Sequence, residues 1–351
     1  MKNKKKSLIS LEKFIESSLY KKNTGYYMSK NPFGNKGDFI TSPNISIFFT
    51  EMIAVWIISL WKNFNEPKEF NIIELGAGNG EMINILLKTF KKFPKFNKSL
   101  KVYILEKSPY LKKIQKNKIK NQKVIWIKDL KQIKNKPCII VANEFFDALP
   151  IKQYFKIKNI WYERKVKLLN NNKFQYLNIK TNIKKIEKRI GYNISKNQKI
   201  LEISESAVKY LEQIANIIKR NKGSLLIIDY GYKEKEMKNT LRGIRDHNIV
   251  NILSNYKKCD ITYSLSFNFL MMIAKKLKLK INGFTTQRDF LLSLGIMKRA
   301  EIVSKNLKFS EKADIYYRIQ KLIDKKFMGE IFKVLLITNK KVNFKLGFNS
   351  D

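Results

Sequence analysis

The run from Asn71 to Phe90 constrains the fold more than any other part of the chain. A short apolar segment over 71–75 leads into Gly76-Ala77-Gly78-Asn79-Gly80, and a stretch with helical apolar spacing follows over 81–90. Three glycines in five residues fold as a tight turn that leaves bare backbone at its surface. A strand entering such a turn and a helix leaving it opens a βαβ unit. The pattern recurs downstream, with strands over 101–106, 124–127, 138–142 and 223–229 and helices over 110–118 and 207–220. This alternation predicts an α/β fold, a mostly parallel sheet with helices on both faces. Right-handed crossovers then collect the strand C-termini along one rim.

Other segments depart from that alternation. Leu8, Leu11, Phe14, Ile15 and Leu19 sit at helical spacing with Ser10 placed to cap, and residues 44–64 read as a long apolar helix. Residues 1–66 are therefore expected to form an N-terminal helical or lid segment, and 67–351 the core. Residues 151–157, 160–168 and 174–179 alternate as antiparallel strands. The polar, mixed span 233–305 reads as a substrate-side insertion, and 331–338 as a final strand.

The glycine run carries a chemical signal as well. Glu74 precedes the first glycine, and Gly76, Gly78 and Gly80 are spaced G-x-G-x-G, unlike the G-x-G-x-x-G of a pyrophosphate loop. The N–H groups at the following helix start favour a negative group. That combination suits S-adenosylmethionine, whose amino-acid end is a zwitterion and which has no pyrophosphate. Glu106 ends the next strand, where a carboxylate meets a ribose. Asp129 follows the third strand, where an adenine amino group would be read, and Asn143 closes the fourth on the cofactor side.

The fourth strand opens into Asn143-Glu144-Phe145-Phe146-Asp147-Ala148-Leu149-Pro150. Acids there can hold and orient a cationic or amino nucleophile while the aromatics exclude water. Glu144 and Asp147 are the expected catalytic pair, with Asp38, Phe146, Tyr230 and His247 on the substrate side. The same residues also read as helix-start and turn chemistry. Cys138, Cys259 and a single histidine cannot build a zinc cage, so no metal is expected.

Lys+Arg 71 against Asp+Glu 29 gives a net charge of +42, which would ordinarily suggest nucleic acid or an anionic surface. Only 8 of the 71 are arginine, and Asn and Ile are inflated too. These residues share A/T-rich codons, so the excess reads as codon bias and solvated lysine. No stable nucleic-acid partner is expected, and no apolar run reaches the ~18 residues of a membrane span. A cytoplasmic protein is the expectation, or a mitochondrial one if the source is eukaryotic.

The runs Gly37-Asp38-Phe39-Ile40-Thr41-Ser42-Pro43, Glu74-Leu75-Gly76-x-Gly78-x-Gly80 and Glu106-Lys107-Ser108-Pro109 occur in the order known from one family. So do Asn143 to Ile151, Ile228-Asp229-Tyr230-Gly231-Tyr232, Thr240-Leu241-Arg242, His247, Asp260-Ile261-Thr262 and Thr286-Gln287. Together they resemble the MidA-type methyltransferases over residues 8 to 340. The resemblance implies a Rossmann-like class I fold with a seven-stranded sheet and S-adenosyl-L-methionine as cofactor. It also implies a protein arginine acceptor, on a respiratory complex I subunit in mitochondrial members; a homodimer is one option for the assembly, which the residues leave open. A small-molecule or RNA acceptor, or a cofactor-binding assembly chaperone, are the alternatives. Asn239 and Ser266 replace acids usual in the family.

Overall fold

The computed structural model describes residues 8–34, 38, 41–120, 124–169 and 173–348. Gly37, Phe39 and Ile40 of the Gly-Asp-Phe motif lie outside the described residues. The main sheet is built from β1 (Phe70–Leu75), β2 (Leu100–Leu105), β3 (Val124–Ile127), β4 (Cys138–Asn143), β5 (Gly223–Tyr232), β6 (Lys280–Thr286) and β7 (Phe332–Thr338). Their spatial order is β6-β7-β5-β4-β1-β2-β3, and a two-residue strand, Leu265–Ser266, pairs with the end of β5. β1 to β5 pair in parallel, whereas β7 runs antiparallel to both β5 and β6. The sheet is therefore mixed.

Strand side chains alternate between the two faces, and the sequence supplies apolar residues for both. Ile73, Leu75, Ile140, Ala142, Leu225 and Ile227 pack into one core with the helices Leu11–Tyr20 and Glu205–Arg220. Their neighbours Ile72, Ile139, Val141, Leu226 and Ile228 pack into the other, with the helices Ile47–Asn63 and Glu81–Phe90. The N-terminal segment thus covers both faces of the sheet. Ser10 accepts from the Lys13 N–H and starts the first of its helices as expected. The apolar run after it divides at Ser46, which caps Ile47–Asn63. No helix among the described residues is long and apolar enough to cross a membrane.

Two smaller antiparallel sheets stand at the carboxyl rim. One joins Lys152–Ile157, Ile160–Leu168, Phe174–Lys180, Ile200–Ile203 and Leu8–Ser10. The other is a ribbon of Arg242–Arg245, Asn248–Val250 and Asp260–Thr262. Its two-residue turn, Asp246-His247, has both φ values positive (49° and 62°), the geometry whose twist matches flanking strands. Residues 280–286, inside the span read as an insertion, form the edge strand β6 of the main sheet.

Candidate active site

A cavity of about 1140 Å³ opens at the carboxyl rim, where parallel sheets place their ligands. Gly76 and Gly78 line one wall with φ of +65° and +53°, a backbone region that costs side-chain-bearing residues roughly 1–2 kcal/mol. A Cβ on Gly76 would stand 2.9 Å from the Phe145 ring, and one on Gly78 would stand 3.3 Å from Phe33. The loop is tied to β2 by the Gly76 N–H, which donates to Leu105 at 2.9 Å. Gly80 begins the next helix and does not line the cavity.

Glu106 lies beside that loop, at the end of the adjacent strand. It accepts from the Ser108 N–H and from Gln115 Nε2, both at 2.8 Å. The same Gln115 amide donates to the Gly78 carbonyl at 2.9 Å and accepts from Trp126 Nε1. One glutamine therefore fixes both the loop and the carboxylate, a role that nothing in its sequence position announces. Glu74 is buried behind the loop, and its Oε2 has no hydrogen-bond partner. Burial, and then the charge of Glu106, push its carboxyl up to about 8.

Asp129, Phe146 and Asn143, all expected at the site, do not line the cavity. Asp129 is exposed and caps the turn Leu130–Gln132 through the Lys131 N–H, while its neighbour Lys128 reaches the cavity. Phe146 is fully buried in the core, so Phe145 faces the cavity in its place. Adjacent residues cannot share one direction, and the buried position goes to the second ring. Asp38 lines the cavity as expected and also clasps the N-terminal segment to the ribbon turn. One oxygen accepts from Lys30 and Tyr26, and the other from the Asp246 N–H at 3.0 Å. Burial opposes its ionisation, yet these donors hold it below the usual carboxylate range. Asn143 does not line the cavity. Its Nδ2 approaches Glu144, and its Oδ1 is buried without a partner.

The opposite wall is acidic. Glu144 holds a positive φ of 50° at the end of β4, and its Oε1 accepts from the Ser42 N–H and Asn143 at 3.4 Å each. Asp147 Oδ2 accepts from Tyr230 at 2.6 Å and from Thr262 at 2.9 Å, whereas its Oδ1 is buried with no partner. Asp260 Oδ1 accepts from the Tyr27 hydroxyl at 2.8 Å and from the Ile261 N–H. Asp229 lies directly behind, accepting from the Asp147 and Tyr230 backbone. Burial, then the charge of Asp147, raise Glu144 to about 8 and Asp260 to about 7. Asp147 is raised by burial despite its two hydroxyl donors, and Asp229 is raised strongly by burial and by Asp147 and Glu144. Like charges so close cannot all ionise without a cation among them.

Tyr230 and His247 line the cavity as expected, the latter exposed on the ribbon turn. Asp260, Thr262, Tyr27 and Arg242 line it too, and sequence reasoning gave them no role. The one local signal was the spacing of Asp260 and Thr262, two residues apart and hence on one face of a strand. The root of the ribbon is fixed by buried Glu202, which accepts from the Thr240 and Leu241 N–H groups and from Gln153.

Comparison with known proteins agrees with this geometry. Residues 52–285 match the family described as S-adenosyl-L-methionine-dependent methyltransferases. The Xenopus tropicalis protein arginine methyltransferase NDUFAF7, mitochondrial, is 29% identical, with 93% of this chain and 81% of that protein covered. Its human counterpart is 26% identical over 92% of this chain and 78% of its own length. The crystal structure of a COG1565 superfamily member from Burkholderia thailandensis, bound to S-adenosyl-homocysteine, superposes with a TM-score of 0.80. It shares 21% identity and covers 98% of this chain and 89% of its own, which shows a common fold. The chain belongs to the S-adenosyl-L-methionine-dependent methyltransferase family, and S-adenosylmethionine is the methyl donor it uses.

Proposed function

We propose that the enzyme methylates an arginine side chain of a protein. The observation that carries this reading is the acidic wall of Glu144, Asp147 and Asp260, with one Asp147 oxygen left without a partner. A buried carboxylate cluster of this kind costs free energy until a cation neutralises it, and it repels phosphate. The curated relatives are named protein arginine methyltransferases and mitochondrial, which supports a guanidinium acceptor and the mitochondrial alternative over a cytoplasmic site. The strand order, equivalent to 3-2-1-4-5-7-6 with β7 reversed, supports the class I Rossmann-like assignment. A complex I subunit as acceptor follows from the family resemblance alone.

The residues present fit the cofactor. The side-chain-free surface of Gly76 and Gly78 leaves room for its methionine end, and Glu106 is placed for the ribose hydroxyls. Glu74 is buried behind the loop with an unpartnered oxygen, and it supports the loop from beneath rather than lining the cavity. When bound, the donor supplies a methyl carried on a sulfonium, which passes to nitrogen as the S–C bond breaks and leaves a thioether. The acceptor nitrogen must lose a proton, and guanidinium is otherwise protonated, with a pKa above ~12. The acids orient the guanidinium and accept that proton, Tyr230 and Thr262 hold Asp147 in place, and Phe145 excludes water. Asn143 and Phe146 lie behind this layer.

The test is methyl transfer from labelled S-adenosylmethionine to peptides that carry one arginine, with the arginine replaced by lysine as control. Product that depends on arginine supports the reading. Equal labelling of both sets, or label found in RNA, overturns it.

A further inference from the structure

We propose that Asp260 is the carboxylate that, together with Asp147, grips the acceptor guanidinium and takes its proton, a role the sequence assigned to Glu144. This inference rests on the arginine reading above. Asp260 and Thr262 lie on one face of the same strand, about 7 Å apart, and Thr262 touches Asp147 Oδ2 at 2.9 Å. Both aspartates are buried and both line the cavity. Each has one oxygen committed to protein donors. Asp147 Oδ2 is held by Tyr230 and Thr262, leaving Oδ1 buried and unpartnered. Asp260 Oδ1 is held by Tyr27 and the Ile261 N–H, leaving Oδ2 for a ligand.

Two carboxylates presented in this way match the fork of a planar guanidinium, which offers five N–H donors and no acceptor. Glu144 is a weaker partner. It is held less firmly, because its Oε1 accepts from the Ser42 N–H and Asn143 only at 3.4 Å, against 2.6–2.9 Å for the bonds that fix the two aspartates. The proton balance requires a carboxylate beside the acceptor nitrogen. Methyl transfer replaces an N–H bond of the guanidinium by an N–CH3 bond, and the released proton passes to a carboxylate oxygen. The groups facing Asp260 are Tyr20, Tyr26 and Tyr27 of the N-terminal segment, Asp38, Asp147, Glu144 and neighbouring Cys259. Burial and the negative charge of Asp147 raise its carboxyl to about 7, matched to accepting a proton near neutral pH.

The experiment uses the full chain, S-adenosylmethionine and a peptide with a single arginine, and compares Asp260→Asn, Glu144→Gln and Tyr27→Phe with the wild type. Peptide binding is followed by calorimetry in the presence of S-adenosyl-homocysteine, alongside turnover. Asp260→Asn is expected to lose at least about 100-fold in kcat/KM, within the range of a removed general base. Its cofactor Kd should stay unchanged, and Glu144→Gln should lose far less. Tyr27→Phe removes a donor to the ionised carboxylate, so the acid limb of its kcat/KM profile should move to higher pH. Unchanged kinetics in Asp260→Asn, or a larger loss in Glu144→Gln, overturns the proposal and leaves the arginine reading standing. A wild type that neither binds nor methylates the peptide overturns both.

Discussion

The two walls of the cavity are built in opposite ways. The donor wall comes from one local unit, in which β1, the glycine loop, β2 and the helix Pro109–Lys118 meet within 49 consecutive residues, 70–118. The acceptor wall is assembled from remote pieces. Glu144 and Asp147 follow β4, Tyr230 ends β5, Asp260 and Thr262 sit on the ribbon, and Tyr27 comes from the N-terminal segment. Local construction fixes geometry by backbone and by one glutamine. Remote construction depends on several packed segments meeting, so it gives way first when any of them is disturbed.

The largest expected effect tests the donor wall. Gly78→Arg forces a side chain onto a left-handed backbone 3.3 Å from Phe33, and calorimetry should detect no S-adenosylmethionine binding. Asp147→Asn should sharpen the division between the walls. Turnover on an arginine peptide should fall ~10²–10³-fold, the scale of lost acid–base chemistry, while the cofactor Kd stays within about twofold in calorimetry. Glu106→Gln should do the reverse, raising the cofactor Kd by about tenfold, the worth of one hydrogen bond to a charged group. Its kcat at saturating cofactor should be retained. Glu202→Ala strips the acceptor from the Thr240 and Leu241 N–H groups. It should cost ~1–3 kcal/mol in denaturant unfolding and raise peptide KM without touching cofactor affinity.

The smallest effect concerns pH. Burial and the charge of Glu106 hold Glu74 up to about 8, against 4.5 for an ordinary glutamate. The folded chain keeps a proton that the unfolded chain has released, so this stabilisation is full below 4.5 and is lost as pH rises toward 8. Glu74→Gln should remove that slope, with Tm above the wild type by several degrees at about pH 8 and the gap closing near pH 5. A constant gap across the range would show that Glu74 is ionised in the folded protein.

The same division decides what could be read from the residues. The strand-turn-helix order around Gly76 and the strand-end position of Glu106 are facts of short sequence distance, and both residues line the cavity. Gln115 was missed because a helical glutamine shows no periodic or spacing signal, although it holds both elements. On the acceptor side, Glu144 and Asp147 stood in one acidic run. Asp260 is 113 residues from Asp147 and reaches it only through the ribbon. Asp38 lines the cavity as expected, but its partners, Lys30, Tyr26 and the Asp246 N–H, become visible only when the ribbon turn folds onto the N-terminal segment. Phe146 and Phe145 exchanged places because helical or strand spacing does not decide direction in an irregular loop.

The ribbon bearing Arg242, His247 and Asp260 is fastened at its root to Glu202 and at its tip to Asp38. A strap buckled at both ends can bow but cannot swing aside. Asp38 is in this sense a keystone. Without its carboxylate, the methyl donor still has its seat, while the far end of the strap hangs loose and the acids beneath stand more open to bulk water.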